Sequence, residues 1–274
     1  MNAPSDVLAL ITSTTPWSPA AHVALSLGAS FGAGVSGCYI DSSLRMLHGG
    51  EEDASVLALL VDRPQCNPDD RDAFLVLARE HGVAHARWLV ARASIAAMLR
   101  RLCAWHDLVV IERNLLDEGA LFDVLGEALL LCRAPSLILP PERAGPARFA
   151  HVALAWNGSI ESVRAMHAAL PLLRMASQVT LIDGDTPRDD EEQEYTPRFD
   201  PLEYLTAHGI RPTSRRLHVT PHDAGHALLH EASELRADLL AMGAYGHSRV
   251  RERVLGGATR QVLQHSPIPV LMQH

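Results

Sequence analysis

The feature that most constrains this chain is an internal repeat: its second half carries the same order of apolar runs as its first. Val7 to Ile11 is answered by His151 to Ala155. An alanine- and leucine-rich stretch follows each, Ala20 to Leu27 in one half and Val163 to Leu173 in the other, and then a second apolar run, Val35 to Ile40 or Gln178 to Ile182. Asp107-Leu108-Val109-Val110-Ile111 matches Asp238-Leu239-Leu240-Ala241-Met242, and Ala134 to Leu139 parallels Ser266 to Leu271. Short apolar runs alternating with helical stretches predict parallel βαβ units, with right-handed crossovers and helices on both faces. The expected fold class is therefore α/β, built as two tandem open parallel-sheet domains. The expected boundaries are 1–142 and 149–274, joined by a linker at 143–148 in the proline-rich stretch Pro140 to Pro146. Asp41 to Asp70 reads as a surface insertion in the first half, and Asp183 to Glu194 as an acidic loop in the second.

The halves diverge where chemistry is expected. After the run ending at Met242, Gly243-Ala244-Tyr245-Gly246 is followed, after nine intervening residues, by Gly256-Gly257-Ala258-Thr259, in a stretch from Val254 to Gln264 that reads as helix. Glycines at a strand-to-helix crossover let the main chain turn sharply and bring converging N–H groups close to an anion. The helix N-terminus beyond adds further N–H groups and a favourable dipole. In the first half the corresponding run leads into Glu112-Arg113-Asn114-Leu115, with only Gly126 to match Gly256. No glycine cradle is expected there, and Glu112 places a carboxylate where an anion would sit.

These residues resemble the universal stress protein family, whose C-terminal motif is Gly-x2-Gly-x9-Gly followed by a small or hydroxyl residue. The resemblance runs from Asp238 through Gly243, Tyr245-Gly246-His247-Ser248-Arg249, Leu255-Gly256-Gly257 and Thr259-Arg260 to Pro267-Ile268-Pro269-Val270-Leu271-Met272. It implies a nucleotide-binding α-hydrolase-like fold and ATP, or a related adenine nucleotide, as the ligand. The implied ligand-binding residues are Asn157, Ile182, Gly243, Gly246, Arg249, Gly256, Gly257, Ala258 and Thr259, with the backbone of Ile182 meeting adenine. Two positions depart from the family pattern. Gly257 stands where ATP-binding relatives carry Ser or Thr, and Asn157 where they often carry Asp. Asn157 and Ser159 also fit a turn with Ser159 as the N-cap of a helix opening at Ile160. Arg251, Arg253 and Arg260 lie near the glycines too, although residues two apart on a helix point to different sides.

The remaining features narrow the function classes. A formal net charge of −8 disfavours nucleic acid as a partner. No apolar run approaches the roughly 20 residues of a membrane helix, and with no basic segment ahead of an apolar one at the N-terminus the expected location is cytoplasmic. Cys38, Cys66, Cys103 and Cys132 form no Cys-x-x-Cys pair and read as reduced core thiols. His222, His226 and His230 have the i, i+4 spacing that a divalent metal can use. An exposed amphipathic helix face gives the same spacing, and no metal is expected. No Gly-x-Ser-x-Gly elbow or Walker-type Gly-Lys-Ser/Thr occurs, so no catalytic residue is assigned and ATP hydrolysis, if any, is weak. The expectation is a regulatory stress-response protein that binds adenine nucleotide through its second half and acts on a regulatory protein partner. The alternative is a ligand-free scaffold working by protein–protein contacts. Assembly is expected as a homodimer, or as an internal pseudo-dimer in which the two halves' final strands pair.

Overall fold

The structure, a computed structural model, describes residues 3–40, 67–91, 95–115, 132, 134–141, 149–184, 200–220, 223–244 and 257–274. Two compact units divide the chain, Asn2–Ala147 and Arg148–His274. In the first, β1 (Asp6–Ile11), α1 (Pro19–Phe31) and β2 (Gly34–Tyr39) are followed by α2 (Asp70–Glu80), β3 (Ala86–Val90) and α3 (Ile95–Leu102). A 3-10 turn (Cys103–Trp105), β4 (Leu108–Glu112), a second 3-10 turn (Arg113–Leu115) and β5 (Ser136–Leu139) complete it. All its strand pairs are parallel, in the order β3-β2-β1-β4-β5.

The second unit repeats this plan with β6 (His151–Trp156), α4 (Ile160–Met175), β7 (Gln178–Gly184), α5 (Pro201–Ala207) and β8 (Pro212–Leu217). Then come α6 (Ala224–Glu234), β9 (Leu239–Gly243), α7 (Gly257–His265) and β10 (Val270–Gln273). The order β8-β7-β6-β9-β10, again all parallel, is that of the first unit. Both sheets begin in the middle, step outward through two strands, and return to the other side of the first.

The repeat extends to single hydrogen bonds. Asp107, just before β4, accepts the N–H groups of Ser5 (2.7 Å) and Asp6 (3.2 Å) at the start of β1. Asp238, just before β9, accepts those of Ala150 (2.7 Å) and His151 (3.1 Å) at the start of β6. A carboxylate thereby ties the first strand of each unit to the strand that crosses over to join it, satisfying donors at the end of the ladder. The Asp-led apolar runs that reveal the repeat in sequence are the runs that carry this clamp.

Around the first sheet the apolar faces are filled on both sides. One face presents Leu8, Leu10, Cys38, Ile40, Val109 and Ile111 to Ile95, Met98 and Leu99 of α3, all buried. On the other, Gly37 makes room for Phe74, since a Cβ there would lie 2.7 Å from the ring. Phe74 packs 5.2 Å from Trp88 and 5.9 Å from Trp17, with Tyr39 stacked 6.2 Å from Trp88.

Two of the cysteines depart from the expectation of reduced thiols, and Cys66 lies outside the described residues. Cys103 and Cys132 form a disulfide, with Cα atoms 5.5 Å apart, although 29 residues separate them in sequence. The fold brings the turn after α3 beside the segment entering β5, a proximity that no local spacing announces. Cys38 stays a thiol 3.2 Å from the Met98 sulfur, and burial pushes it up to about 12.

Two predictions follow from this framework. Glu112, buried at the end of β4, accepts the Ala20 N–H in the first turn of α1 (3.1 Å) and the Thr12 hydroxyl (3.3 Å). Replacing it with Ala strands a buried donor at a helix N-terminus, so Glu112→Ala lowers stability by about 1–3 kcal/mol; an unchanged urea midpoint contradicts this. The second concerns histidines. Burial, and then neighbouring His81, lowers His22 below its ordinary 6.5, while burial and then His208 lower His167. Below 6.5 the unfolded chain takes up these protons before the folded one does, so the contribution of both residues is intact above pH 6.5 and is lost as pH falls through 6.5 toward the lowered native values. Melting temperatures measured from pH 7.5 to 5 should fall more for the wild type than for a His22→Gln/His167→Gln variant.

Candidate functional site

In open parallel sheets ligands bind beyond the carboxyl ends of the strands, where the strand order reverses. In the second unit that point lies between β6 and β9, and a cavity of about 230 Å³ opens there. Its floor is made by strand ends: Ala155 and Trp156 of β6, Ile182 and Gly184 of β7, Leu217 of β8, and Met242 and Gly243 of β9. Asn157, Ser159, Ser162, Val219, Ala224 and Leu228 form its walls, together with Gly257, Ala258 and Thr259 of α7. The described lining is neutral, with polar side chains only at Asn157, Ser159, Ser162 and Thr259.

Local sequence fixes these walls. The turn from β6 into α4 needs Gly158, at a φ of 76°, a left-handed conformation costly for any residue with a Cβ. Asn157 Oδ1 accepts the Ser159 N–H (3.1 Å), and Ser159 Oγ accepts the Ser162 N–H (3.2 Å), capping α4. Both side chains therefore serve the turn while lining the cavity. Ile182 is registered with Ala155 on one side and Arg215 on the other, so its main chain belongs to the sheet ladder and what it brings to the cavity is apolar. Thr259 is buried near the start of α7.

Gly243 and Gly257, neighbours in the sequence motif, answer different demands. A Cβ on Gly243 would lie 2.6 Å from the carbonyl carbon of Glu161 and 2.8 Å from the Ser162 nitrogen, both backbone atoms of α4. Gly243 is thus a close-packing glycine, holding the strand end against the helix that begins the site. A Cβ on Gly257 would meet nothing within 4 Å. Gly246, Arg249 and Gly256 lie outside the described residues. So do Arg251 and Arg253, whereas Arg260 is exposed and does not line the cavity.

The first unit shows what becomes of the same place without glycines. Strand registers align Val7 with Val152 and Leu108 with Leu239. Leu10 then takes the place of Ala155, Ile40 that of Gly184, Ile111 that of Met242, and Glu112 that of Gly243. Larger side chains stand where the second unit has Ala and Gly. With Ile95, Leu99 and Leu115, Leu10, Ile40 and Ile111 form a buried cluster, while the Glu112 carboxylate is buried against the start of α1.

Sequence reasoning missed Trp156, Ser162, Leu217, Val219, Ala224 and Leu228, because apolar lining on strand ends and helices looks like core until the topology is known. Gly225 is buried against α7. His226 and His230 are exposed on α6, and the Gln261 amide lies 3.2 Å from His226 Nδ1; His222 is outside the described residues. Among the described residues no group of three or more metal-ligating side chains converges, and no helix is long and apolar enough to cross a membrane.

Residues 148–274 match the family model described as the universal stress protein family. The universal stress protein Slr1230 of Synechocystis sp. is 48% identical over 48 residues, which are 18% of this chain and 17% of that relative's length. Among solved structures, a universal stress protein from Archaeoglobus fulgidus is 16% identical and covers 99% of this chain and 96% of its own, with a TM-score of 0.64. A functionally unknown protein from Pseudomonas aeruginosa is 13% identical, covers 99% and 92%, and has a TM-score of 0.60. At these identities the likeness is one of fold, and it extends over both halves.

The two glycines give opposite expectations. Gly243→Ala forces strand and helix backbones apart and costs about 1–3 kcal/mol. Gly257→Ala, in open space at a helix start, is neutral or stabilising by up to ~1 kcal/mol. Thermal denaturation of both variants checks this, and equal effects contradict it.

Proposed function

Because residues 148–274 belong to the universal stress protein family, we propose that this half binds an adenine nucleotide in the cavity beyond β6, β7 and β9 and works as a regulatory module. The observation that carries the reading is the contrast between the two units. Among the described residues, the strand ends that line an open neutral cavity in the second unit have Leu10, Ile40 and Ile111 as counterparts in a buried apolar cluster of the first. In this reading the base and sugar occupy the apolar floor between Ile182, Leu217 and Leu228, and the phosphates extend toward the first turn of α7. Asn157 serves the ribose end, with Thr259 as the hydroxyl nearest the phosphates. Arg249, with the glycines Gly246 and Gly256, supplies the remainder of the phosphate cradle, as the motif implies. A cavity of about 230 Å³ is below the roughly 300–1,000 Å³ of sites that hold a whole drug-sized ligand, which suits recognition of the base and part of the sugar within the described lining.

The role is binding rather than turnover, with ATP as ligand and effector, and occupancy is read by a protein partner or by a second copy of the chain. The filled first unit is a ligand-free copy that supplies scaffold surface. Its buried Glu112 already satisfies the helix N-terminus that a ligand anion would approach.

Isothermal titration of the full chain with ATP tests the reading. The wild type binds, and Gly246→Val, which puts a branched Cβ in the motif's second glycine, abolishes binding without unfolding the protein. Gly257→Ser restores the family's hydroxyl in space the structure leaves open and tightens binding by about 1 kcal/mol, roughly fivefold. Unchanged affinity in folded Gly246→Val places the ligand elsewhere. A wild type that binds no adenine nucleotide leaves the scaffold role as the function of both halves.

A further inference from the structure

Gly225 is the second residue of α6, flanked on the same helix by the cavity-lining Ala224 and Leu228, yet it faces α7. A Cβ built on it would lie 2.6 Å from Gln261 Cβ, 2.9 Å from Gln261 Cγ and 3.1 Å from the Cα of Ala258. Neither the root of the Gln261 side chain nor the Ala258 backbone can swing aside as a flexible tip would. Any side chain at 225 therefore moves α7 as a body, beginning with the turn that carries Gly257, Ala258 and Thr259. A second contact holds the same two helices in register, the Gln261 amide donating to His226 Nδ1 at 3.2 Å.

We propose that Gly225 and Gln261 form a positioning pair for the nucleotide site, the bare helix face at 225 setting how far the first turn of α7 reaches into the cavity. The proposal rests on the nucleotide reading of that cavity. Gly has a lower helix propensity than Ala, so a helical position that carries it has another constraint to meet. Here that constraint is an approach of two helices closer than two Cβ atoms allow. The first turn of α7 is where helix N–H groups and the buried Thr259 meet the ligand, and anion recognition by such groups falls off within that turn. A displacement of a few tenths of an ångström at Ala258 is transmitted to every one of these groups, whereas the apolar floor on β6, β7 and β9 stays in place. Neither residue touches the ligand; both act through α7.

The test is a double-mutant cycle on the full chain, read by ATP and adenosine titration alongside thermal denaturation. Gly225→Ala binds ATP at least about tenfold more weakly, equivalent to ~1.4 kcal/mol, while losing less affinity for adenosine, which lacks the phosphates that α7 serves. Gln261→Gly removes the two nearest atoms that a new Cβ would strike and leaves only the 3.1 Å approach to the Ala258 Cα, so the Gly225→Ala/Gln261→Gly double variant recovers ATP affinity to near that of Gln261→Gly alone. Equal losses for ATP and adenosine, or no rescue in a folded double variant, overturn the pairing. Should Gly225→Ala not fold, the double variant carries the test: folding with ATP affinity close to that of Gln261→Gly supports the pair, and failure to fold or to bind overturns it. Wild-type and Gly225→Ala proteins that bind ATP equally refute this inference and leave the nucleotide reading standing. A wild type that binds no ATP refutes both.

Discussion

The second half of this protein depends on backbone approaching backbone at glycine. Gly243 brings the end of β9 against the first turn of α4, and Gly225 brings α6 against the first turn of α7. Each contact brings the start of a helix beside the carboxyl ends of the sheet, where the cavity opens. Larger residues at either position would swing a helix outward and dissolve the cavity's wall. The site is thus a consequence of packing distance before it is a matter of hydrogen-bonding chemistry.

The first half argues the same point by contrast. At the position of Gly243 it carries Glu112, whose buried carboxylate accepts the Ala20 N–H of α1 and the Thr12 hydroxyl. A side chain has taken over what a close helix does elsewhere, and the space beyond is filled by Leu10, Ile40, Ile111 and their neighbours. Among the described residues, one topology therefore carries small residues on its strand ends in one unit and larger buried ones at the matching places in the other. The aspartate clamps at Asp107 and Asp238 are kept in both. Stability of the sheet and openness of the site are separately encoded.

Much of this was legible before the structure. The repeated Asp-led runs located the repeat and with it the topology, because strand and helix alternation admits few arrangements; that their aspartates clamp strand starts was not legible. The loss of the glycine cradle in the first half was readable from Glu112 to Leu115. The cavity floor was not, because Leu217, Val219 and Leu228 acquire meaning only once registers place Ala and Gly in one half opposite Leu and Ile in the other. The motif glycine Gly243 was seen, but not that it packs against a helix, and the contact at Gly225 showed only in the fold. The Cys103–Cys132 disulfide escaped for a related reason, since its partners meet through the fold and not through spacing.

The central claim is that one of two like-folded halves has a ligand site and the other has closed its own. Counting bound nucleotide by native mass spectrometry of the full chain, titrated with ATP, tests it most directly. The account predicts a single saturable ATP per chain, lost in Gly246→Val. Two ATP molecules per chain, or a single one that persists in that variant, would contradict it.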